Sequence, residues 1–159
     1  MQDEVIGFDV SPHREVQAAF MAIAEQEMHG LPFVHATMPV YVTPFTRFEE
    51  QWLGCVLTPW MLSVQIYPGP QQCWPRRPVS QRLGLRLPYG EMTFTVGELA
   101  ALGQYLSCSL MSPLDRGLSV DAGIALADNC LKMALSLPVT DAAVSRRALL
   151  QGLRDKAHA

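Results

Sequence analysis

Between Gln51 and Pro75 the chain runs 25 residues without an Asp, Glu, Lys, Arg or His, and all three tryptophans fall inside that run. Glu49-Glu50 closes one end and Arg76-Arg77 the other. A segment this apolar is either the heart of a core or a surface made to take up another apolar chain. It is not a membrane span. Gly54, Thr58, Pro59, Ser63, Gln65 and Pro68 break it into apolar pieces of a few residues, far short of the ~20 a spanning helix needs. The same breaks predict two strands, Trp52–Thr58 and Met61–Tyr67, parted by Pro59 and ended by the turn Pro68-Gly69-Pro70.

Around this run the remaining segments read as an α+β chain. Ser11-Pro12 starts a helix over about 12–29, with Ser as the cap, Pro at the first helical position and Gly30 as the stop. Its apolar stripe is Val16, Phe20, Ile23 and Ala24. Val40–Val42 and Phe45–Phe48 are short and extended, and Glu49-Glu50-Gln51 is a turn. Residues 71–81 read as a loop. Leu83, Leu85 and Leu87 alternate along a strand with one buried face, and Pro88-Tyr89-Gly90 turns it into Met92–Val96. Residues 98–104 are a helical turn or a connection, and Tyr105–Met111 is a strand or a buried helix. A last helix runs over about 119–137, with Ile124, Leu131 and Leu135 on one face and Ala127 and Ala134 beside it. Beyond Pro138 the tail is flexible or carries a short helix near 142–153. The expected architecture is a single domain over 1–159: a largely antiparallel sheet of about five to six strands packed against an N-terminal and a C-terminal helix.

Composition narrows the function classes. A net charge of −3 offers no basic field for nucleic acid. With 49% hydrophobic and 17% charged residues, the 159-residue chain can bury a core without staples. Cys55, Cys73, Cys108 and Cys130 are too scattered for a zinc pattern, and the acidic Met1–Glu4 stretch with no apolar run after it does not read as a signal peptide. They read as reduced thiols acting as small hydrophobes in a cytoplasmic protein.

Catalytic motifs are missing: no phosphate loop, dinucleotide fingerprint, nucleophile elbow or His-Glu-x-x-His occurs. Glu25 and His29 stand four apart, but a His in a last helical turn already suits the helix dipole. His29 and His35 lack a third ligand. Ser107-Cys108-Ser109 lacks a histidine base. Cys73 has arginines nearby, which favours a thiolate, and this makes it a hint of reactivity only. Binding is what remains. Trp60 follows the strand-breaking Pro59 and is expected at a sheet rim. Trp74 sits in a loop and is expected to be half-exposed, whereas Trp52 belongs in the core. Ordinary packing accounts for all three equally well.

Four segments go beyond pattern: Met38–Thr43, Gly54–Ser63, Leu87–Gly90 with Met92–Glu98, and Gln104–Leu114. With Thr58-Pro59-Trp60 and Ser109–Pro113 as their most specific pieces, they resemble the HybE family of [NiFe]-hydrogenase assembly chaperones over nearly the whole chain. The resemblance implies a cytoplasmic, non-enzymatic factor without cofactor or metal. It would hold hydrogenase precursors, the small subunit with its twin-arginine signal peptide and possibly the large subunit, until cofactor insertion is complete. Some family members carry a fused rubredoxin module, but its Cys-x-x-Cys pairs are absent here.

A partner for a basic, moderately apolar signal peptide needs an apolar groove with carboxylates at one end. Trp60, Met61, Trp74 and Tyr89 are the candidate groove residues, and Glu49, Glu50, Glu91 and Glu98 the candidate rim. If so, Trp60→Ala weakens precursor capture and leaves thermal stability nearly intact. Two other readings compete with this one: a thiol- or metal-using maturation factor working through Cys73 or Cys108, and a scaffold bridging large and small subunits.

Overall fold

A computed structural model of the chain describes residues 4–28 and 30–136. In chain order its elements are β1 (Glu4–Ile6), α1 (His13–Gln26), β2 (Tyr41–Val42), β3 (Thr46–Phe48), β4 (Gln51–Thr58), β5 (Met61–Tyr67), β6 (Cys73–Pro75), β7 (Arg82–Arg86), β8 (Glu91–Leu99), β9 (Gly103–Met111) and α2 (Val120–Ala134). The uncharged run supplies β4, β5 and β6.

β4 and β5 are the middle of an antiparallel seven-stranded sheet ordered β2-β4-β5-β9-β8-β7, with β3 beside β2 along β4. Residues 53–58 and 62–67 are buried without interruption. Both faces of this hairpin are covered, so neither side tolerates a charge, and that is why residues 53–58 and 62–67 contain none.

α1 covers one face. Val16 and Phe20 pack there with Phe45, Val56, Tyr67 and Tyr105. Tyr67 stacks on Tyr105 with ring centroids 5.1 Å apart and meets Phe45 edge-on at 5.5 Å. The Tyr67 hydroxyl donates to Gln65 Oε1 at 2.7 Å, and the Gln65 amide donates to Ser63 Oγ at 3.1 Å. This relay satisfies polar groups that burial would otherwise penalise.

α2 covers the other face, over β4 and β5. Its Gly123, Leu126, Ala127, Cys130 and Ala134 are buried against Leu53, Cys55, Leu57 and Val64. A Cβ on Gly123 would lie 2.8 Å from Met38 Sδ, so the glycine lets this loop side chain wedge between helix and sheet. Ser119 caps the helix by accepting from the Ala122 N–H at 3.1 Å.

The α+β reading holds, with several differences of detail. The sheet has seven strands rather than five to six, because Tyr41–Val42 and Thr46–Phe48 both join it and Gly103–Met111 is a strand. The residues read as a loop over 71–81 contain β6, which pairs with β1 in a separate two-stranded ribbon. Residues 98–104 are strand ends around a turn, not a helical turn.

Helix α1 begins at His13, with Pro12 rather than Ser11 at the cap position and no side-chain cap bond. Ser11 Oγ instead accepts from the His13 N–H at 3.4 Å. On α2 the buried stripe is rotated. Ile124, Leu131 and Leu135 are only partly buried, because the small residues 123, 127 and 134 let that side approach the sheet. His29, its pairings with Glu25 and His35, residue 137 and the tail after Pro138 lie outside the described residues.

Candidate functional site

On α2's side of the sheet, the helix covers β4 and β5 while the β1–β6 ribbon reaches over the far end of β9 and β8. Between them the apolar face stays partly open. A cavity of about 190 Å³ is lined by Trp74, Leu83, Leu85, Val96 and Leu106. A second, of about 250 Å³, is lined by Phe48, Glu49, Ile66, Arg86 and Leu87. Gln51 and Leu85 line both, so the two adjoin as one groove. Alternation along β7 aims Leu83 and Leu85 into it, and both stay half-buried.

Each end of the groove carries a carboxylate. Glu49 and Glu50 form the two-residue turn between β3 and β4, with φ of 50° and 71°. Non-glycine residues at such angles cost roughly 1 kcal/mol or more each, and held strain of this kind is a pointer to function. The turn is pinned from below, since a Cβ on Gly69 would run into the Glu50 carbonyl oxygen. Arg47 stands 3.8 Å from Glu50 in an exposed pair and lies over the Trp52 ring.

At the other end, Glu98 Oε1 accepts from Arg76 at 2.9 Å and from Gln104 Nε2 at 3.1 Å. Gln104 also clamps the neighbouring backbone, accepting from the Arg77 N–H at 3.0 Å and donating to its carbonyl at 2.7 Å. The Gln104 hydrogen bond first, then Arg76, holds the Glu98 carboxyl below its usual 4.5.

The residues singled out from sequence therefore divide. Trp74 and Glu49 line the groove, Glu50 shares the Glu49 turn, and Glu98 stands at the opposite end. Tyr89 lies on the same side, at the β7–β8 turn. Its N–H bonds to the Ala134 carbonyl at 3.4 Å, and burial pushes its phenol pKa up. Trp60 and Met61 pack half-buried against the α1-side core, on the other face of the sheet. Glu91 precedes the core-facing Met92 and points away from the groove, as the alternation of β8 requires. Trp60, Met61 and Tyr89 thus do not form one groove. Trp52 is half-buried rather than core, its indole N–H donating to the Phe8 carbonyl at 3.0 Å.

Leu83, Leu85, Phe48 and Gln104 were not singled out, although the leucine alternation on β7 was visible. Only the pairing of β1 with β6, remote in sequence, shows where cover ends.

The candidate thiols and metal ligands fall as follows among the described residues. No three His, Cys, Asp or Glu side chains converge as a metal site there. Cys55, Cys108 and Cys130 are buried and Cys73 is exposed. The Cys55 thiol is pushed well up by its hydrogen bond to Cys130 and by burial, which disfavours the nucleophilic thiolate. His35 is committed to the backbone: Nδ1 accepts from Thr37 and Met38 N–H at 3.2 Å, and Nε2 reaches the Leu118 carbonyl at 2.8 Å. No helix among the described residues is long and apolar enough to cross a membrane.

Comparison with known proteins gives a consistent result. Residues 11–152 match the family described as [NiFe]-hydrogenase assembly, chaperone, HybE. The chain is 59% identical over 157 residues to the Hydrogenase-2 operon protein HybE of Escherichia coli (strain K12), covering 97% of each. It is 28% identical over 129 residues to the Hydrogenase expression/formation protein HupJ of Bradyrhizobium diazoefficiens, covering 81% of this chain and 75% of that one. The solution structure of HybE from Escherichia coli superposes with a TM-score of 0.72 at 59% identity, covering 91% of this chain and 90% of that one.

Proposed function

The chain belongs to the HybE family of [NiFe]-hydrogenase assembly chaperones, and from that premise we propose that it captures hydrogenase subunit precursors in the groove between β6 and β7 before export. One of them is the small-subunit precursor with its twin-arginine signal peptide. The protein acts in the cytoplasm as a binding protein, not an enzyme.

The observation that carries this reading is the groove itself. It presents a tryptophan and half-buried leucines to solvent, and a strained turn bearing Glu49 and Glu50 closes one end. The apolar stretch of a signal peptide fits the leucine floor, and its basic start meets the two carboxylates.

Co-purification with each subunit precursor alone, with and without the signal peptide, tests this. Trp74→Ala is expected to weaken capture about tenfold or more, and Glu49→Gln with Glu50→Gln to slow association more than it changes the final affinity. Capture unaffected by Trp74→Ala, or unaffected by removing the signal peptide, would sink the reading.

A second reading has one observation in its favour. Trp60 and Met61 stand on the opposite face from the groove, so a scaffold bridging two subunits has two separate surfaces available. Trp60→Ala would then abolish co-purification of one precursor and leave the other.

A further inference from the structure

The outer edge of β7 is unpaired among the described residues, and its chemistry is specific. Leu87 and Gly90 exchange both backbone hydrogen bonds, at 2.9 and 3.0 Å. Counting back in steps of two, Leu85–Met92 and Leu83–Phe94 are the next hydrogen-bonded pairs of the ladder. The N–H and C=O groups of Arg82, Gly84 and Arg86 therefore point outward, away from β8. At the start of the strand Ser80 has φ 79°, and its N–H bonds to the Val96 carbonyl while the Val96 N–H bonds to the Gln81 carbonyl. That is a bulge with serine in the position glycine usually fills, and it ends the pairing there.

The two faces of this edge differ. Leu83 and Leu85 look into the groove beside Trp74, whereas Arg82 and Arg86 are exposed and alternate toward the other face with Gly84 between them, Arg86 also bordering the second cavity. Among the described residues neither guanidinium is in an ion pair. Glu91, opposite Arg86 in the register, forms no ion pair with it, and its carboxylate lies over Gly84, 3.3 Å from where a Cβ there would stand. Charged residues on an edge strand commonly serve only to blunt it. Blunting does not account for half-buried leucines and an apolar cavity on the other face of the same five residues.

We propose that β7 takes up an extended segment of a partner protein by strand addition, and that this segment alternates apolar and acidic residues. Its outward N–H and C=O groups complete the ladder at 82, 84 and 86. Its apolar side chains enter the groove against Leu83, Leu85 and Trp74, and its carboxylates lie beside Arg82 and Arg86. A second copy of this chain is the wrong occupant: antiparallel pairing about Gly84 sets Arg82 of one copy against Arg86 of the other, and like charges directly opposite repel. The apolar half of the inference rests on the groove reading above. The arginine half adds a partner chemistry which that reading does not require.

The test uses the full chain, ¹⁵N-labelled, and capped peptides of about seven residues, the length of an ordinary strand. One peptide alternates Val and Glu and the other Val and Lys. The Val/Glu peptide is expected to shift the amide signals of Arg82, Gly84 and Arg86 and slow their hydrogen exchange, and to bind about tenfold more tightly than Val/Lys. Arg82→Glu with Arg86→Glu should reverse that preference. Gly84→Pro removes an outward N–H and no ladder bond, so it should fold normally and lose binding of both peptides.

Equal binding of the two peptides, shifts confined to other strands, or unchanged binding by the Gly84→Pro variant would overturn the proposal. So would a peptide-independent dimer seen by sedimentation with β7 at its interface. Loss of precursor capture on Trp74→Ala with no Val/Glu effect at 82, 84 and 86 leaves the groove reading standing and removes this one. The converse result removes the groove as the precursor site and keeps the edge.

Discussion

Along the β2–β3 edge, both helices reach over and close the sheet. The His13 ring of α1 lies 2.8 Å from the Val42 carbonyl, and Asp128 of α2 accepts a 2.7 Å hydrogen bond from the Tyr41 hydroxyl. Where Pro44 interrupts the pairing, the Thr43 hydroxyl takes the place of a backbone acceptor and receives the Cys55 N–H at 2.9 Å. Along β7, no described helix or loop supplies such groups, and the strand keeps its outward hydrogen-bonding positions free. One sheet thus has an edge finished by side chains and an edge with its outward backbone groups unpaired among the described residues. If β7 takes up a partner strand as proposed, stability and binding draw on opposite ends of the same sheet.

The comparison is sharpest when the same substitution is made at both ends. Leu57 is fully buried beside the closed edge, packed between α2 and β5. Leu57→Ala should lower unfolding free energy by about 2–5 kcal/mol, the range for deleting a buried leucine. Leu85, half-buried over the groove, already leaves part of its side chain in water, and Leu85→Ala should cost about 1 kcal/mol. Urea denaturation of the two variants measures both. Equal losses would make the β7 floor ordinary core and remove the contrast between the edges.

Tyr41 tests whether the closed edge is fastened as described. Tyr41→Phe removes the donor to Asp128 and should cost about 1–2 kcal/mol. Burial, then the hydrogen bond to Asp128 and its charge, push the Tyr41 phenol up from 10.0 to about 12. Because the folded-state value is raised, the stabilisation is fully present below pH 10.0 and is lost as pH rises through about 12. The Tyr41→Phe protein should lack that component of alkaline destabilisation. Stability curves for the two proteins that remain parallel across this window would mean that Tyr41 does not fasten the edge.

How far the sequence discloses this arrangement depends on the range of the contacts. The β4–β5 hairpin is legible because Pro59 and the lack of charge are local facts, and so is the β7–β8 turn at Pro88-Tyr89. α2 is legible as a helix, but its buried side is not: Gly123 and Ala127 carry no apolar signal of their own and matter because Met38 and β4 press against them. The β1–β6 ribbon is invisible because Glu4–Ile6 finds its partner at Cys73–Pro75, about 70 residues away, across a loop whose prolines argue against a strand. The groove inherits that blindness. Trp74 and Glu49 were visible as candidates, but their union with Leu83 and Leu85 depends on where the ribbon stops. Trp60 and Tyr89 were grouped by residue type, and a sheet places residues of one type on either face with equal ease.

The smallest expected effect lies at the open side, in the Arg76–Glu98–Gln104 cluster. Gln104 is 4% exposed and holds the Arg77 backbone from both sides, so the link between β6 and the β8–β9 pair is mainly a neutral one. Glu98 adds a charge at the surface of that link. Its folded-state value is lowered below 4.5, so its contribution is present above the ordinary carboxylate range and is lost as pH falls through the lowered value. Acidification below 4.5 should therefore move the urea midpoint slightly downward in the native protein, and less in Glu98→Gln, where the side chain no longer titrates. The same acidification should leave the Arg77–Gln104 backbone clamp intact, seen as unchanged exchange of the Arg77 amide. If that amide opens together with Glu98 protonation, the ribbon is held by charge rather than by the amide clamp. The groove would then be wider in acid than the neutral clamp permits, and the open edge would be less rigid than its bare hydrogen-bonding groups require for strand addition.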